Sequence, residues 1–230
     1  MMIENKNKNI KIAIDGPSGA GKSTLAKNIA RELNCMYLDT GALYRTVGLY
    51  IYNKNIESSD IEKILNSLSD INIEVKFDDS KQFMYLNGVD ITAEIRQNDI
   101  SRYASEVSAI PEVRTYLLDP QRITAEKYNI VMDGRDIGTV IMPDAQVKIF
   151  LNADVNERAE RRYKELIAKG QNVNYESILN DVIRRDKNDS SRDTAPLKPA
   201  DDAVLVNNSG MEEFETLECV LKIIKEKLGI

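Results

Sequence analysis

The stretch Gly16-Pro17-Ser18-Gly19-Ala20-Gly21-Lys22-Ser23 fits G-x-x-x-x-G-K-[ST] without a mismatch, and it narrows the possible folds more than any other feature of the chain. It follows Ile10-Lys11-Ile12-Ala13-Ile14, a β-rich run that closes at Asp15. It opens onto 23–33, where Leu25, Ile29, Ala30 and Leu33 recur at helical spacing. A strand, a tight glycine turn and a helix N-terminus in that order line up successive backbone amides around phosphate oxygens. Gly16, Pro17, Ser18, Gly19, Ala20, Gly21, Lys22, Ser23 and Thr24 are therefore expected to hold a nucleotide's phosphates. Lys22 would reach the terminal ones, and the Ser23 hydroxyl would ligate Mg²⁺, partly through water.

Strands and helices alternate along much of the remaining chain. Met36-Tyr37-Leu38 reads as a second strand, passing through Asp39-Thr40-Gly41 into a helix marked by Leu43, Tyr44, Val47 and Tyr50. Short apolar runs at 130–132, 147–151 and 203–206 are of the buried-strand type, and helical periodicity predicts helices over 94–107, 112–127, 155–169, 175–187 and 211–228. The expected class is α/β: a five-stranded parallel sheet of the phosphate-loop NTPase type with helices on both faces. One stretch departs from this pattern. Residues 71–77 alternate with period two, Asp78-Asp79-Ser80-Lys81 reads as a turn, 82–86 returns, and Asn87-Gly88 turns again into 89–92. This predicts a small antiparallel β insertion, about 62–93, within a single domain spanning 10–230; residues 1–9 read as a flexible tail.

Absences narrow the chemistry. The 230-residue chain contains no histidine, which excludes Ser-His-Asp and Cys-His nucleophiles and every His-ligated metal. Its two cysteines, Cys35 and Cys219, make neither a disulfide framework nor a four-Cys zinc site and are expected to be reduced. No apolar run approaches the length of a membrane span, and the polar N-terminus lacks a signal-type core, so a cytoplasmic location is expected. A net charge of −6 argues against nucleic-acid polymers as partners. Local clusters at Arg158, Arg161 and Arg162, and at Arg184, Arg185 and Arg192, suit a small anionic ligand instead. Asn53-Lys54-Asn55-Ile56 misses the last position of N-K-x-D, so no guanine-reading motif supports a GTPase.

A second constellation, Asp133-Gly134-Arg135-Asp136-Ile137-Gly138, lies just beyond the apolar run 130–132. In an open parallel sheet the carboxyl ends of the strands hold the ligand crevice, so this segment would face the phosphate loop. Ile14–Ser23, Leu38-Asp39-Thr40-Gly41-Ala42-Leu43-Tyr44-Arg45 and Asp133-Gly134-Arg135-Asp136-Ile137-Gly138-Thr139-Val140 closely resemble the bacterial cytidylate kinases. So do Pro143-Asp144-Ala145, Lys148-Ile149-Phe150-Leu151, and Arg185-Asp186 running on to Asp189, Arg192 and Ala195-Pro196-Leu197. In order, these matches cover nearly the whole chain.

The resemblance implies phosphoryl transfer from ATP, with Mg²⁺, to CMP or dCMP by a monomeric enzyme with a mobile helical lid at about 155–170. It implies that Arg45, Arg135 and Arg192, with Lys22, meet the CMP phosphate or the transferring group. Ser105, Arg114 and Asp136 match positions that read cytosine. Arg185 and Asp189 match ribose contacts, and Thr40 would lie against the monophosphate. Arg158, Arg161 and Arg162, on one side of a helix, would bring lid charge over ATP, with Arg158 and Arg162 expected among the ATP contacts. Plainer readings stand beside these. Arg45 could be a solvated helix residue, Arg114 could pair with Glu112 or Asp119 on its own helix, and 184–189 could be an exposed charged face. A kinase of another small acceptor such as shikimate, or a nucleotide-binding regulator without turnover, are the alternatives in function.

Overall fold

β1 (Lys11–Asp15) is buried at every position, and its side chains divide between two hydrophobic cores by the period-two alternation of a strand. Ala13 joins one core, Ile12 and Ile14 the other. The same division runs through β2 (Met36–Asp39), with Leu38 opposite to Tyr37, and β6 (Ile130–Gly134), with Ile130 and Met132 opposite to Val131. β7 (Val147–Asn152) and β8 (Val204–Asn207) complete a five-stranded sheet in the order β2-β6-β1-β7-β8, with every pair parallel. The computed structural model describes residues 9–78, 81–168 and 170–230. Most of the expected tail, the Asp79-Ser80 centre of the expected turn, and Lys169 lie outside the described residues.

Helices cover both faces. On one, α2 (Thr40–Asn53), α4 (Asn98–Val107) and α5 (Pro111–Lys127) supply Leu43, Val47 and Ile51, then Ile100 and Val107, then Val113 and Leu117. On the other, α1 (Lys22–Glu32) and α8 (Glu213–Leu228) supply Leu25 and Ile29, then Val220 and Ile224. The chain leaves β1 for β2 on one side of the sheet, and from β6 it crosses to β7 on the other side of β1. That reversal opens a crevice at the carboxyl ends of β1 and β6.

A separate antiparallel sheet, β3 (Ile73–Asp78), β4 (Lys81–Leu86) and β5 (Val89–Asp90), occupies the stretch read as an insertion. Met84 on β4 turns inward with Ile71 and Ile91 and joins the first core. α6 (Val155–Ala168) and α7 (Tyr175–Ser190) pack together, with the Tyr163 and Tyr175 rings edge to face at 6.0 Å.

Three local features differ from the sequence reading. The helix expected over 94–107 is broken: Gln97 is extended (φ −68°, ψ 151°) between a 3-10 turn, Glu94–Arg96, and α4. A short α3 (Ile61–Ser67) was not foreseen, because only Ile64 and Ser67 are buried and no apolar stripe announces it. After β6 the backbone makes a π-type turn, Ile137–Ile141, a widened coil that periodicity does not mark.

Leu38 is fully buried and Leu205 is 67 % exposed, although both lie in strands of the same sheet. Leu38→Ala should cost about 2–5 kcal/mol in urea denaturation, and Leu205→Ala should stay within about 0.5 kcal/mol. Equal costs would contradict this placement of the core.

Candidate active site

The phosphate loop is shaped by close backbone packing. At Gly16 (φ 150°) an added Cβ would lie 2.0 Å from the Leu151 carbonyl oxygen, so only glycine fits where the loop leaves β1. Gly21 (φ 88°) caps α1, leaving the first amides of that helix open to an anion. Lys22 folds back across the loop and its Nζ donates to the Pro17 carbonyl at 2.7 Å. Burial, with the Arg135 guanidinium beside it, pushes the Lys22 ammonium down to about 7.

Asp133, at the end of β6, gathers the surrounding elements. Its carboxylate accepts from Ser23 Oγ and from Tyr37 Oη, each at 2.8 Å, and its carbonyl accepts from Thr40 Oγ1 at 2.7 Å. Burial and neighbouring Asp39 raise its pKa. Sequence reasoning placed Asp133 at the strand end without giving it a role; the signal available was a carboxylate closing a buried strand level with the loop. Ser23 Oγ and Asp133 Oδ2 together present hard oxygen donors beside the loop, a pair that suits Mg²⁺ completed by phosphate and water. Asp15 is different: its two oxygens accept the Ile137 and Gly138 amides, each at 2.8 Å, which ties the start of the loop to the π-type turn. Burial pushes Asp15 up to about 6 against those two bonds.

Arginines line the same cleft, a cavity of about 690 Å³. Arg45 pairs with Asp39 at 2.6 Å, and Arg114 pairs with Asp136 at 2.5 Å rather than with Glu112 or Asp119 on its own helix. Arg114 also lies over the Tyr44 ring, 5.4 Å from its centroid. One carboxylate, Asp189, holds two guanidiniums: Arg135 Nε at 2.7 Å and Arg192 Nη2 at 2.9 Å. Burial opposes charge on Asp189, but Arg135 and Arg192 outweigh it and hold the carboxyl below its ordinary range. Arg185, half-buried on the same wall, makes no hydrogen bond or ion pair among the described residues. Burial and the nearby Arg135 lower its pKa. The 184–189 segment is thus not a uniformly solvated face, since Asp189 is buried while Arg184 is exposed.

Ser18, Gly19, Gly21, Lys22, Ser23, Thr24, Thr40, Ser105 and Asp136 also line the cleft, whereas Gly16, Pro17 and Ala20, expected there too, do not. Of the three lid arginines, Arg161 and Arg162 are on the cleft wall. Arg158 sits behind the loop: it donates to the Ser18 carbonyl at 2.9 Å and pairs with Asp186 at 2.7 Å. On the cleft wall Arg161 donates to the Asn208 carbonyl at 2.9 Å. The wall formed by Asn208, Met211, Glu212, Glu213 and Thr216 was not foreseen, because no motif marks the loop after β8.

A model of the family described as cytidylate kinase matches residues 12–226. The chain belongs to the cytidylate kinase family. A protein named cytidylate kinase from Caldicellulosiruptor saccharolyticus is 46% identical over 222 residues, covering 96% of this chain and 98% of that protein. A cytidylate kinase from Thermosipho melanesiensis is 49% identical over 218 residues, covering 94% and 97%. In fold, the chain is similar to an uncharacterized protein from Eubacterium ventriosum of known crystal structure. The TM-score is 0.53 and the identity 15%, with 95% of this chain and 99% of that one covered.

The lowered Lys22 pKa has a measurable consequence in this kinase. An anion favours the charged lysine, so ATP binding at pH 8 should take up a fraction of a proton, and affinity should fall as pH rises from 7 to 9. Calorimetry in two buffers of different ionisation enthalpy should show the uptake in the wild type and not in Lys22→Met. Identical proton balances would contradict the assignment.

Proposed function

We propose that the protein transfers the γ-phosphoryl group of ATP to CMP or dCMP, giving ADP and CDP or dCDP. The observation that carries this reading is a single cleft with a phosphate loop on one wall and, on another, the buried Arg114–Asp136 pair among arginines that suit an acceptor phosphate. Cytosine offers acceptors at N3 and O2 and a donor at N4, which Arg114 and Asp136 can serve respectively. Asp136 spends one oxygen on Arg114 and leaves the other without a protein donor among the described residues. Uracil would turn a lone pair toward that oxygen, which disfavours UMP. Ser105 would assist at the base, and Arg185 and Asp189 at the ribose.

The nucleophile is an oxygen of the CMP phosphate, whose second pKa is about 6, so it is already ionised at neutral pH. No general base is needed, in keeping with a chain that lacks histidine. Catalysis becomes orientation plus neutralisation of charge on the phosphoryl group in flight. Lys22 and the loop amides would hold the donor phosphates. Arg45, Arg135 and Arg192 would hold the acceptor phosphate and the transferring group, with Thr40 beside them, exploiting the fixed fork of the guanidinium. Ser23 and Asp133 would hold Mg²⁺, which would offset charge on the donor phosphates. α6 would act as a lid that carries Arg161 and Arg162 toward the donor and excludes water. Arg158 would act through the back of the loop rather than by touching ATP. The reading includes a cytoplasmic monomer: its two thiols are isolated, Cys35 buried and Cys219 exposed, and no helix among the described residues is long and apolar enough to cross a membrane.

A coupled ADP-release assay against CMP, dCMP, UMP, AMP, GMP and shikimate tests the reading. CMP and dCMP should turn over fast and UMP poorly. Asp136→Asn should lower kcat/KM for CMP by about 100-fold while leaving the KM for ATP within about twofold. Equal rates with CMP and UMP would remove the role given to Asp136, and ATP binding without turnover of any acceptor would favour a regulator.

A further inference from the structure

Among the described residues β2 is an edge strand, and its outer row of backbone groups has no neighbouring strand to pair with. At Asp39, the last residue of β2, a side chain closes that gap. Gln82, on β4 of the separate antiparallel sheet, accepts the Asp39 N–H at Oε1 (2.7 Å) and donates Nε2 to the Asp39 carbonyl (3.3 Å). One amide thus serves both backbone groups, as a residue of a paired strand would. Its Nε2 also lies 3.0 Å from the sulfur of buried Met84, which anchors β4 in the first core.

Asp39 in turn sets the acceptor wall. Its carboxylate pairs with Arg45 at 2.6 Å and caps α2 by accepting the Ala42 N–H at 3.2 Å. The corner has little slack: a Cβ at Gly41 would come within 2.9 Å of Arg45 Nη1 and 3.1 Å of Asp39 Oδ1. A shift of the Asp39 backbone therefore moves both the guanidinium and the N-terminus of α2.

We infer that Gln82 is a positioning residue for phosphoryl transfer, fixing the Asp39 backbone and, through it, the Arg45 guanidinium on the acceptor wall. The antiparallel sheet then has a task in the reaction as well as in packing. This inference rests on the reading of Arg45 as a contact of the acceptor phosphate. Gln82 does not line the cleft, so its effect should come only through Asp39 and fall on the acceptor side alone.

Steady-state kinetics of wild type, Gln82→Met and Gln82→Glu test it, the first variant removing the amide and the second keeping only its acceptor. Gln82→Met should raise the KM for CMP about tenfold, and Gln82→Glu, which turns a carboxylate oxygen toward the Asp39 carbonyl, at least as much, with the KM for ATP unchanged. In an Arg45→Ala background, either Gln82 variant should add no further loss, because the two residues act in series. Should Gln82→Met fail to fold, Gln82→Glu and its cycle with Arg45→Ala decide the matter. An unchanged KM for CMP, equal losses for CMP and ATP, or full additivity with Arg45→Ala would overturn the inference. Wild-type protein that binds ATP but does not phosphorylate CMP would instead overturn the acceptor reading on which it rests.

Discussion

Mutual repulsion among buried and half-buried cations is the constraint around which the cleft is built. Lys22, Arg45, Arg114, Arg135, Arg185 and Arg192 all line one crevice, where low dielectric strengthens every like-charge contact. Buried carboxylates keep most of them in place: Asp39 for Arg45, Asp136 for Arg114, and Asp189 for both Arg135 and Arg192. Lys22 and Arg185 have no such partner among the described residues, and both have lowered pKa values through burial and proximity to Arg135. A polyanion entering the crevice would relieve that repulsion, so the site stores part of its preference for phosphate in its own electrostatics.

The carboxylates also join parts of the chain that are far apart in sequence. Asp133 connects the first turn of α1, strand β2 and the head of α2 through Ser23, Tyr37 and Thr40. Asp15 connects the phosphate loop to the turn after β6 through the Ile137 and Gly138 amides. Asp189 connects that same segment, through Arg135, to α7, and Arg158 connects the back of the phosphate loop to α7 through Asp186. The phosphate loop, the segment after β6 and the α6–α7 pair are thereby cross-linked by charge and hydrogen bonds rather than by apolar packing alone.

Much of this was legible in the sequence, and the reason is physical. The phosphate loop announces itself because glycine is forced at Gly16, where any Cβ would meet the Leu151 carbonyl. The strands at 130–132 and 147–151 read clearly because strands covered on both faces are apolar throughout. The antiparallel insertion was visible because Asn87-Gly88 sits between alternating runs. What could not be read depends on long-range placement. Strand order, the threefold connection of Asp133, the rearward position of Arg158 and the clasp of Gln82 on Asp39 each join residues that local patterns do not relate. α3 escaped because it buries too little to leave a stripe, and the break at Gln97 interrupts an apolar period that continues across it.

The central claim is that one continuous crevice seats a nucleoside triphosphate and a cytidine monophosphate with their phosphates facing each other. The most direct test is calorimetric binding of a bisubstrate analogue in which adenosine and cytidine are joined through five phosphates. The account predicts one molecule bound per chain, at least about 100-fold tighter than ATP or CMP alone, because the second nucleotide binds at high effective concentration once the first is seated. Affinity no better than that of ATP alone would mean that the two walls do not hold nucleotides at the same time, and would contradict the account.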